Sequence, residues 1–359
     1  MRLATLRTPD STVAVRVDDT TAVEIGGFAD VGSLLADPAW KNISARAAGA
    51  EHPLADIDDD QWAPVVPWPS KIICVGLNYK NHILEMGREL PEFPTLFAKY
   101  PEALIGPFDP IVLPAYAVEA LDWEAELAII IGSPARRLEE SEAAAAIAGY
   151  SVINDVTMRD YQYRTPEWFQ GKTFENSSPF GPWLVTPDEY MLGTELSTVV
   201  DGEKMQSTTT DDLVFGPAAL VSYISKIVTL NPGDVIASGT PGGVGHARKP
   251  PLPQRRVDPH DRHRGDRHHH QSYCRRGLTV ARPHRQRHRP RPGRATAHRT
   301  PRSGILFAQT QRAERRRVQR AVALGGLEPT GADRSRGAQC PCAYPPHRMG
   351  GERHRASDV

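Results

Sequence analysis

Three observations predict an α+β protein. Short apolar runs rich in β-branched residues, closed by glycine or polar turn residues, recur through the first 245 residues. Stretches with helical spacing are few and short. The composition then breaks near Lys249, so only the part before it carries the patterning of a folded domain. Residues 1–65 are expected as a small N-terminal unit, 66–250 as the main domain and 251–359 as a tail.

Met1 to Thr8 and Thr12 to Arg16 alternate as strands do, with a turn at Asp18-Asp19. Val31 to Leu35 reads as a short helix capped by Asp30. Pro67-Trp-Pro69 marks a boundary. Lys71 to Val75 is a strand, and Gly76 is expected to free the backbone for a turn. Leu90 to Pro114 holds six prolines and is expected to be irregular; Phe97 to Lys99 either reaches the site or, on the plainer reading, leaves Lys99 solvated. An Ala-rich helix is expected from about Glu139 to Ala148, and a second helix from Asp212 to Ile227. Glu195 to Val200 and Glu203 onward form a hairpin about Asp201-Gly202.

The chemistry gathers at Val118 to Gly132. The apolar second half of this stretch is a strand, in which residues two apart share a face. Glu124 and Glu126 therefore lie together. Two such carboxylates repel, and one is driven neutral unless a cation joins them. Asp155, at the end of the next apolar run, is a third candidate. Three carboxylates suit a hard divalent ion. The plainer reading is a solvated edge strand. His82 and Glu85 are neighbours if their segment is helical, and a His beside a carboxylate is a candidate base. The plainer reading there is an exposed pair on a loop. Arg159 either grips a substrate carboxylate or pairs with Asp160 at the surface. The glycine-rich stretch after Ser238 presents backbone N–H groups to anions but lacks a phosphate-loop lysine.

Five ordered motifs carry a resemblance: Val75-Gly-Leu-Asn-Tyr79-Lys-Asn-His82-Ile-Leu-Glu85; Asp122-Trp-Glu124-Ala-Glu126; Asn154-Asp155 to Arg159 and Gln162; Gly171-Lys172-Thr-Phe; and Ser238-Gly-Thr240-Pro-Gly-Gly-Val-Gly245. Together they resemble the fumarylacetoacetate hydrolase superfamily, in its branch of acylpyruvate hydrolases, oxaloacetate decarboxylases and hydroxymuconate-type isomerases. The resemblance implies a mixed β-roll, a β-sandwich-like barrel with flanking helices, and a small N-terminal domain without catalytic duty. It implies Mg²⁺, or Mn²⁺ or Ca²⁺, on Glu124, Glu126 and Asp155. It makes His82, oriented by Glu85, the base that activates water, and Lys172 the cation that stabilises an enolate. Tyr79, Arg159, Gln162 and Thr240 would face a small 2-oxo acid or dicarboxylate. The implied reaction is hydrolysis of a carbon–carbon bond in a 1,3-dicarbonyl acid, such as an acylpyruvate or fumarylpyruvate, through an enolate held at the metal. Isomerisation, hydration or decarboxylation of hydroxymuconate-type diacids or oxaloacetate is the alternative. A homodimer is implied as well.

Up to Lys249 about 18 Lys and Arg face about 35 Asp and Glu; beyond it stand about 25 Arg, about 8 acids and no Lys. Ten of the 13 His and three of the four Cys lie in this tail. The net charge of zero is thus a cancellation and identifies no partner. A basic arm for nucleic acid is one reading, but no recognition module or interleaved aromatics support it. Out-of-frame translation is the preferred one, since Arg without Lys is what a GC-rich gene yields when misread. Codons can be chosen for residues 252–278 whose shifted reading alternates like a strand pair. The tail would then be disordered and the closing strands of the domain missing. An inactive product of a damaged gene is compatible with this. On this reading the chain is poorly soluble, and its frame-restored form soluble and dimeric; expression and gel filtration of both compare them. Met1 to Arg7 lacks the marks of a signal peptide, and no apolar run reaches membrane-spanning length. A cytoplasmic protein with no membrane or nucleic-acid partner is expected.

Overall fold

The computed structural model describes residues 1–112, 114–117, 120–247, 279–280 and 307–308. Four strands open the chain: β1 (Arg2–Arg7), β2 (Thr12–Val17), β3 (Thr21–Glu24) and β4 (Glu51–Pro53). Between the last two lie α1 (Val31–Leu35) and α2 (Trp40–Ala45). Asp30 caps α1, its side chain accepting from the Ser33 N–H at 2.7 Å. Then come β5 (Ile72–Gly76), α3 (Lys80–Glu85), β6 (Thr95–Lys99), β7 (Leu104–Ile105), β8 (Leu121–Asp122) and β9 (Ala125–Ile131). After α4 (Glu140–Ala143) follow β10 (Ile147–Asn154), β11 (Thr157–Met158), α5 (Arg159–Gln162) and α6 (Phe169–Lys172). The rest is β12 (Ser178–Pro179), β13 (Leu184–Val185), β14 (Glu195–Val200), β15 (Glu203–Thr209), α7 (Pro217–Ile227) and β16 (Val235–Ala237).

Ten strands form one mixed sheet in the order β4-β3-β2-β1-β13-β10-β9-β16-β5-β6. Only β16 and β5 run parallel within it. Residues 1–65 therefore add four strands to the sheet that carries the acidic motif. Strand β9 is buried on both sides, which is why its sequence is apolar apart from Glu126. Ala128 and Ile130 face a core containing Leu34, Trp40, Cys74 and Leu184. Leu127, Ile129 and Ile131 face the other, with Tyr150 and the α7 residues Leu220, Val221 and Ile224. Among the described residues the sheet is open, with β4 and β6 at its edges, and closes into no barrel.

Several local expectations are corrected. The Ala-rich helix is only one turn of α4 and a 3₁₀ turn at Ala144–Ala146, because Ile147 already enters β10. The later helix starts at Pro217, not Asp212, since proline is suited to the first helical position. The proline-rich segment contains strand β6, which pairs with β5 along its whole length. Gly76 is not the turn residue. Leu77 takes the left-handed conformation at φ 56°, while a Cβ on Gly76 would lie 2.3 Å from the Trp168 ring. The glycine is there to let that ring approach.

The out-of-frame reading of 251–359 falls outside the described residues, save β17 (Thr279–Val280) and β18 (Phe307–Ala308), an antiparallel pair. Among the described residues no helix is long and apolar enough to cross a membrane.

Candidate active site

The site grows from the ends of β9 and β10. Ile153 lies opposite Glu126 and Asn154 opposite Ala125 in this antiparallel pair. The Asp155 N–H donates to the Glu124 carbonyl at 2.8 Å. The Glu124 N–H donates to Asn154 Oδ1 at 2.9 Å. These bonds lock the two strand ends, so Glu124, Glu126 and Asp155 converge. One oxygen from each lies within 4.8 Å of the others, and all three residues are buried. Glu126 continues the row of Ala128 and Ile130 on β9, where alternation placed it.

Three cations answer them. Lys172, at the end of α6, donates to Glu124 Oε2 at 2.6 Å and to Asp155 Oδ2 at 2.8 Å. Lys99, at the end of β6, pairs with Asp155 Oδ1 at 2.9 Å. It also donates to Ser178 Oγ at 2.8 Å and to the Lys172 carbonyl. Arg159, opening α5, lies 2.7 Å from both Glu124 Oε1 and Asp122 Oδ2 and donates to Gln162 Oε1 at 2.8 Å. Two plainer surface readings fail here. Lys99 is 1% exposed, not solvated, because β6 ends against the acidic cluster. Arg159 is buried and does not pair with Asp160, which instead meets Arg164 at 3.8 Å.

Four buried carboxyl groups, counting Asp122, thus face three cations. The imbalance lands on Glu126. Burial pushes its carboxyl well above the usual range, and Asp155 and Glu124 push it further; Lys172 and the Gly239 N–H only partly oppose this. For Asp155 burial works the same way, but Lys172 and Lys99 outweigh it and hold the group below its ordinary value. Burial works against the Lys172 charge, yet Asp155 and Glu124 prevail and its pKa is raised. Three hard oxygen donors with one carboxyl driven neutral fit a divalent cation, which would restore that charge.

The glycine-rich loop runs back along the acidic segment. The Gly239 N–H donates to Glu126 Oε2 at 2.9 Å, and Thr240 Oγ1 donates to the Ala125 carbonyl at 3.1 Å. Trp123 Nε1 donates to the Gly243 carbonyl at 3.2 Å, and the Gly245 N–H to Asp122 Oδ1 at 2.6 Å. The anions its N–H groups meet are therefore the protein's own carboxylates. Buried Gln206, on β15, ties this seam: it accepts from the Ala125 N–H at 3.0 Å and donates to Thr240 Oγ1 at 2.8 Å.

His82 and Glu85 stand on α3 beside the glycine-rich loop, in a cleft whose lining includes none of Glu124, Glu126, Asp155 or Lys172. His82 is half-buried and Glu85 exposed. Among the described residues neither side chain makes a hydrogen bond or ion pair. Burial lowers the His82 pKa, and Glu85 and Glu124 oppose the shift without reversing it. Gly242 packs against both: a Cβ there would lie 3.0 Å from Glu85 Oε2 and 3.2 Å from His82 Nδ1. A cleft of about 1110 Å³ opens here, lined by His82, Glu85, Ser207, Asp212, Pro241 and Gly242 among others. Tyr79 is fully buried with Ala125, Val152, Leu196 and Leu213, and is not among the residues lining this cleft. Gln162 is buried against Arg159.

The sequence marks neither Asp122 nor Gln206 as a site residue, and marks Lys99 only as a residue able to reach the site. Asp122 had a readable signal, two residues before Glu124 in the same alternation. Lys99 closes a five-residue strand hidden among prolines. Gln206 carries no local signal.

Comparison with known proteins agrees with this architecture. Residues 71–274 match the family model described as fumarylacetoacetate (FAA) hydrolase C-terminal, a match that runs past the composition break. The chain is 39% identical over 214 residues to the Rattus norvegicus oxaloacetate tautomerase Fahd2a, mitochondrial, covering 59% of this chain and 68% of that protein. A Xenopus laevis oxaloacetate tautomerase is 42% identical over 208 residues, 56% of this chain and 64% of that protein. Among solved structures, 5-carboxymethyl-2-hydroxymuconate delta-isomerase from Mycobacterium smegmatis is 37% identical, with a TM-score of 0.57 over 68% of this chain and 89% of that one. Fumarylacetoacetate hydrolase from Exiguobacterium antarcticum is 32% identical, with a TM-score of 0.62 over 70% and 91%.

Proposed function

The chain belongs to the fumarylacetoacetate hydrolase family, and from that premise we propose that it moves a proton on a small 2-oxo dicarboxylic acid, interconverting keto and enol forms. The observation that carries this reading is the buried cluster in which four carboxyl groups face three cations, leaving Glu126 without an ion-pair partner among the described residues. Glu124, Glu126 and Asp155 would hold Mg²⁺ or Mn²⁺. A bound divalent ion supplies a Lewis acid for the 2-oxo oxygen and a template for the adjacent carboxylate. With the ion in place the site carries surplus positive charge, which suits an anionic substrate and no neutral one.

The chain's own residues do the rest. His82, kept neutral near pH 7 by its lowered pKa, takes the proton from the carbon beside the oxo group. Glu85, one turn on, orients the ring once α3 closes on substrate. Lys172 offers positive charge to the oxygen on which negative charge develops. The proton leaves carbon and returns to oxygen, so no water is consumed. Arg159 and Gln162 brace Glu124 and the substrate side of the cluster, and Thr240 presents the loop.

A second reading, hydrolysis of an acylpyruvate carbon–carbon bond, is favoured by the cleft at His82, which has room for water and a longer acid. Decarboxylation of oxaloacetate would use the same cluster. The test is the ultraviolet absorbance of enol oxaloacetate, alongside acylpyruvate consumption, with Mg²⁺ and with excess chelator. Enol turnover that chelator abolishes is expected. Full activity in chelator overturns the metal-assisted reading, and acylpyruvate turnover alone favours hydrolysis.

A further inference from the structure

Lys172 does more here than face a substrate. Its ammonium sits 2.6 Å from Glu124 Oε2 and 2.8 Å from Asp155 Oδ2, and it bridges two of the three candidate ligands. The other cations are committed to other oxygens: Arg159 to Glu124 Oε1 and Asp122, Lys99 to Asp155 Oδ1 and Ser178. Among the described residues only Lys172 bridges two of the three candidate ligands. The three ligand oxygens span no more than 4.8 Å, so a divalent ion held by them lies close to this nitrogen. Two positive charges at that separation, away from water, repel strongly.

On the metal reading proposed above, we infer that Lys172 is a tethered stand-in for the divalent ion. In the metal-free protein its ammonium neutralises Glu124 and Asp155. Binding of the ion displaces it from that bridge, so the lysine weakens the protein's own affinity for metal. The displaced ammonium then turns to the substrate side, and a cation for the anionic substrate is presented only after the ion is in. Removing the lysine thus does two opposite things: it strands two buried carboxylates without metal, and it improves the site for metal.

The experiment uses Lys172→Met in the full chain, which keeps the length of the side chain and removes its charge. Binding of Mg²⁺ and of Mn²⁺ alone, without substrate, is measured by titration calorimetry on wild type and variant. The variant is expected to bind Mg²⁺ about tenfold tighter or more. Its metal-free melting temperature should fall below wild type, and saturating Mg²⁺ should close the gap. Unchanged or weaker affinity overturns the displacement while leaving the metal reading intact. Failure of both proteins to bind either ion overturns the metal reading and the inference with it. Should the variant not fold, nitrogen-15 lysine spectra of the wild type decide. A hydrogen-bonded Lys172 ammonium signal in chelator that shifts or vanishes with Mg²⁺ supports displacement; a signal indifferent to saturating Mg²⁺ overturns it.

Discussion

The buried acidic cluster and the His82 cleft, the floor and the rim of the proposed site, solve opposite problems. On the floor, Glu126 aside, every carboxylate is answered by a cation: Glu124 is held by Arg159 and Lys172, Asp155 by Lys172 and Lys99, Asp122 by Arg159 and three backbone N–H groups. At the rim, His82 and Glu85 have no hydrogen-bond or ion-pair partner among the described residues. The floor is buried, where an unanswered charge is expensive, so it must be a closed network. The rim borders water, which solvates loose groups at little cost and leaves them free to meet a substrate. Stability is therefore expected to reside in the floor's cations, and proton transfer at the rim.

Lys99→Met should break that contrast most severely. It leaves Asp155 Oδ1 without its ion pair, and breaking a buried pair destabilises by about 3 kcal/mol or more. Denaturant melts of wild type and variant measure this. A loss below about 1 kcal/mol would show that Lys172 alone suffices for Asp155.

Glu126→Gln should separate function from stability on the same floor. Metal binding and activity should fall to background, yet the metal-free variant should be more stable than wild type at neutral pH. The sign follows from the raised folded pKa. Between the ordinary value of 4.5 and that raised value, the folded protein holds a proton that the unfolded chain releases. Metal-free wild type thus loses stability as pH rises above 4.5, and the Gln variant lacks that slope. Asp155 runs the other way, with its contribution present above 3.8 and lost as acid reaches its lowered pKa. Melting temperatures in chelator across pH check both. Parallel profiles for variant and wild type would refute the assignment of surplus charge to Glu126.

His82→Ala should lower kcat/KM about a hundredfold while melting temperature and Mg²⁺ affinity barely move. In wild type the acid limb of the kcat/KM profile should fall below pH 6.5, since burial lowers the ring's pKa. If enolisation and decarboxylation of oxaloacetate, the second of which needs no proton taken from carbon, suffer equally, His82 binds or orders rather than taking that proton. Gly242→Ala should give the smallest effect, a few-fold rise in KM, because the new methyl presses on the His82 ring and on the mobile end of Glu85. An unchanged KM would mean that α3 shifts freely.

What the sequence determined by itself was local. Alternation put Glu124 and Glu126 on one face, because successive side chains in a strand point to opposite sides. The Asp30 cap and the hairpin at Asp201-Gly202 followed from residue chemistry that acts over three or four positions. The order of the five motifs carries the family resemblance in the sequence alone. Only the tertiary structure decided which cations reach which oxygens. Lys99 lies 56 residues from Asp155 and reads as a surface lysine until β6 docks on β5 and brings its end under the cluster. Arg159 had an obvious neighbour in Asp160 and ignored it, since the start of α5 turns its guanidinium inward to Asp122 and Glu124. Gln206 joins the acidic strand to the glycine-rich loop across more than 30 residues on either side. Charge pairing in a buried site depends on distances that no local pattern encodes, and the order of strands in the sheet sets those distances.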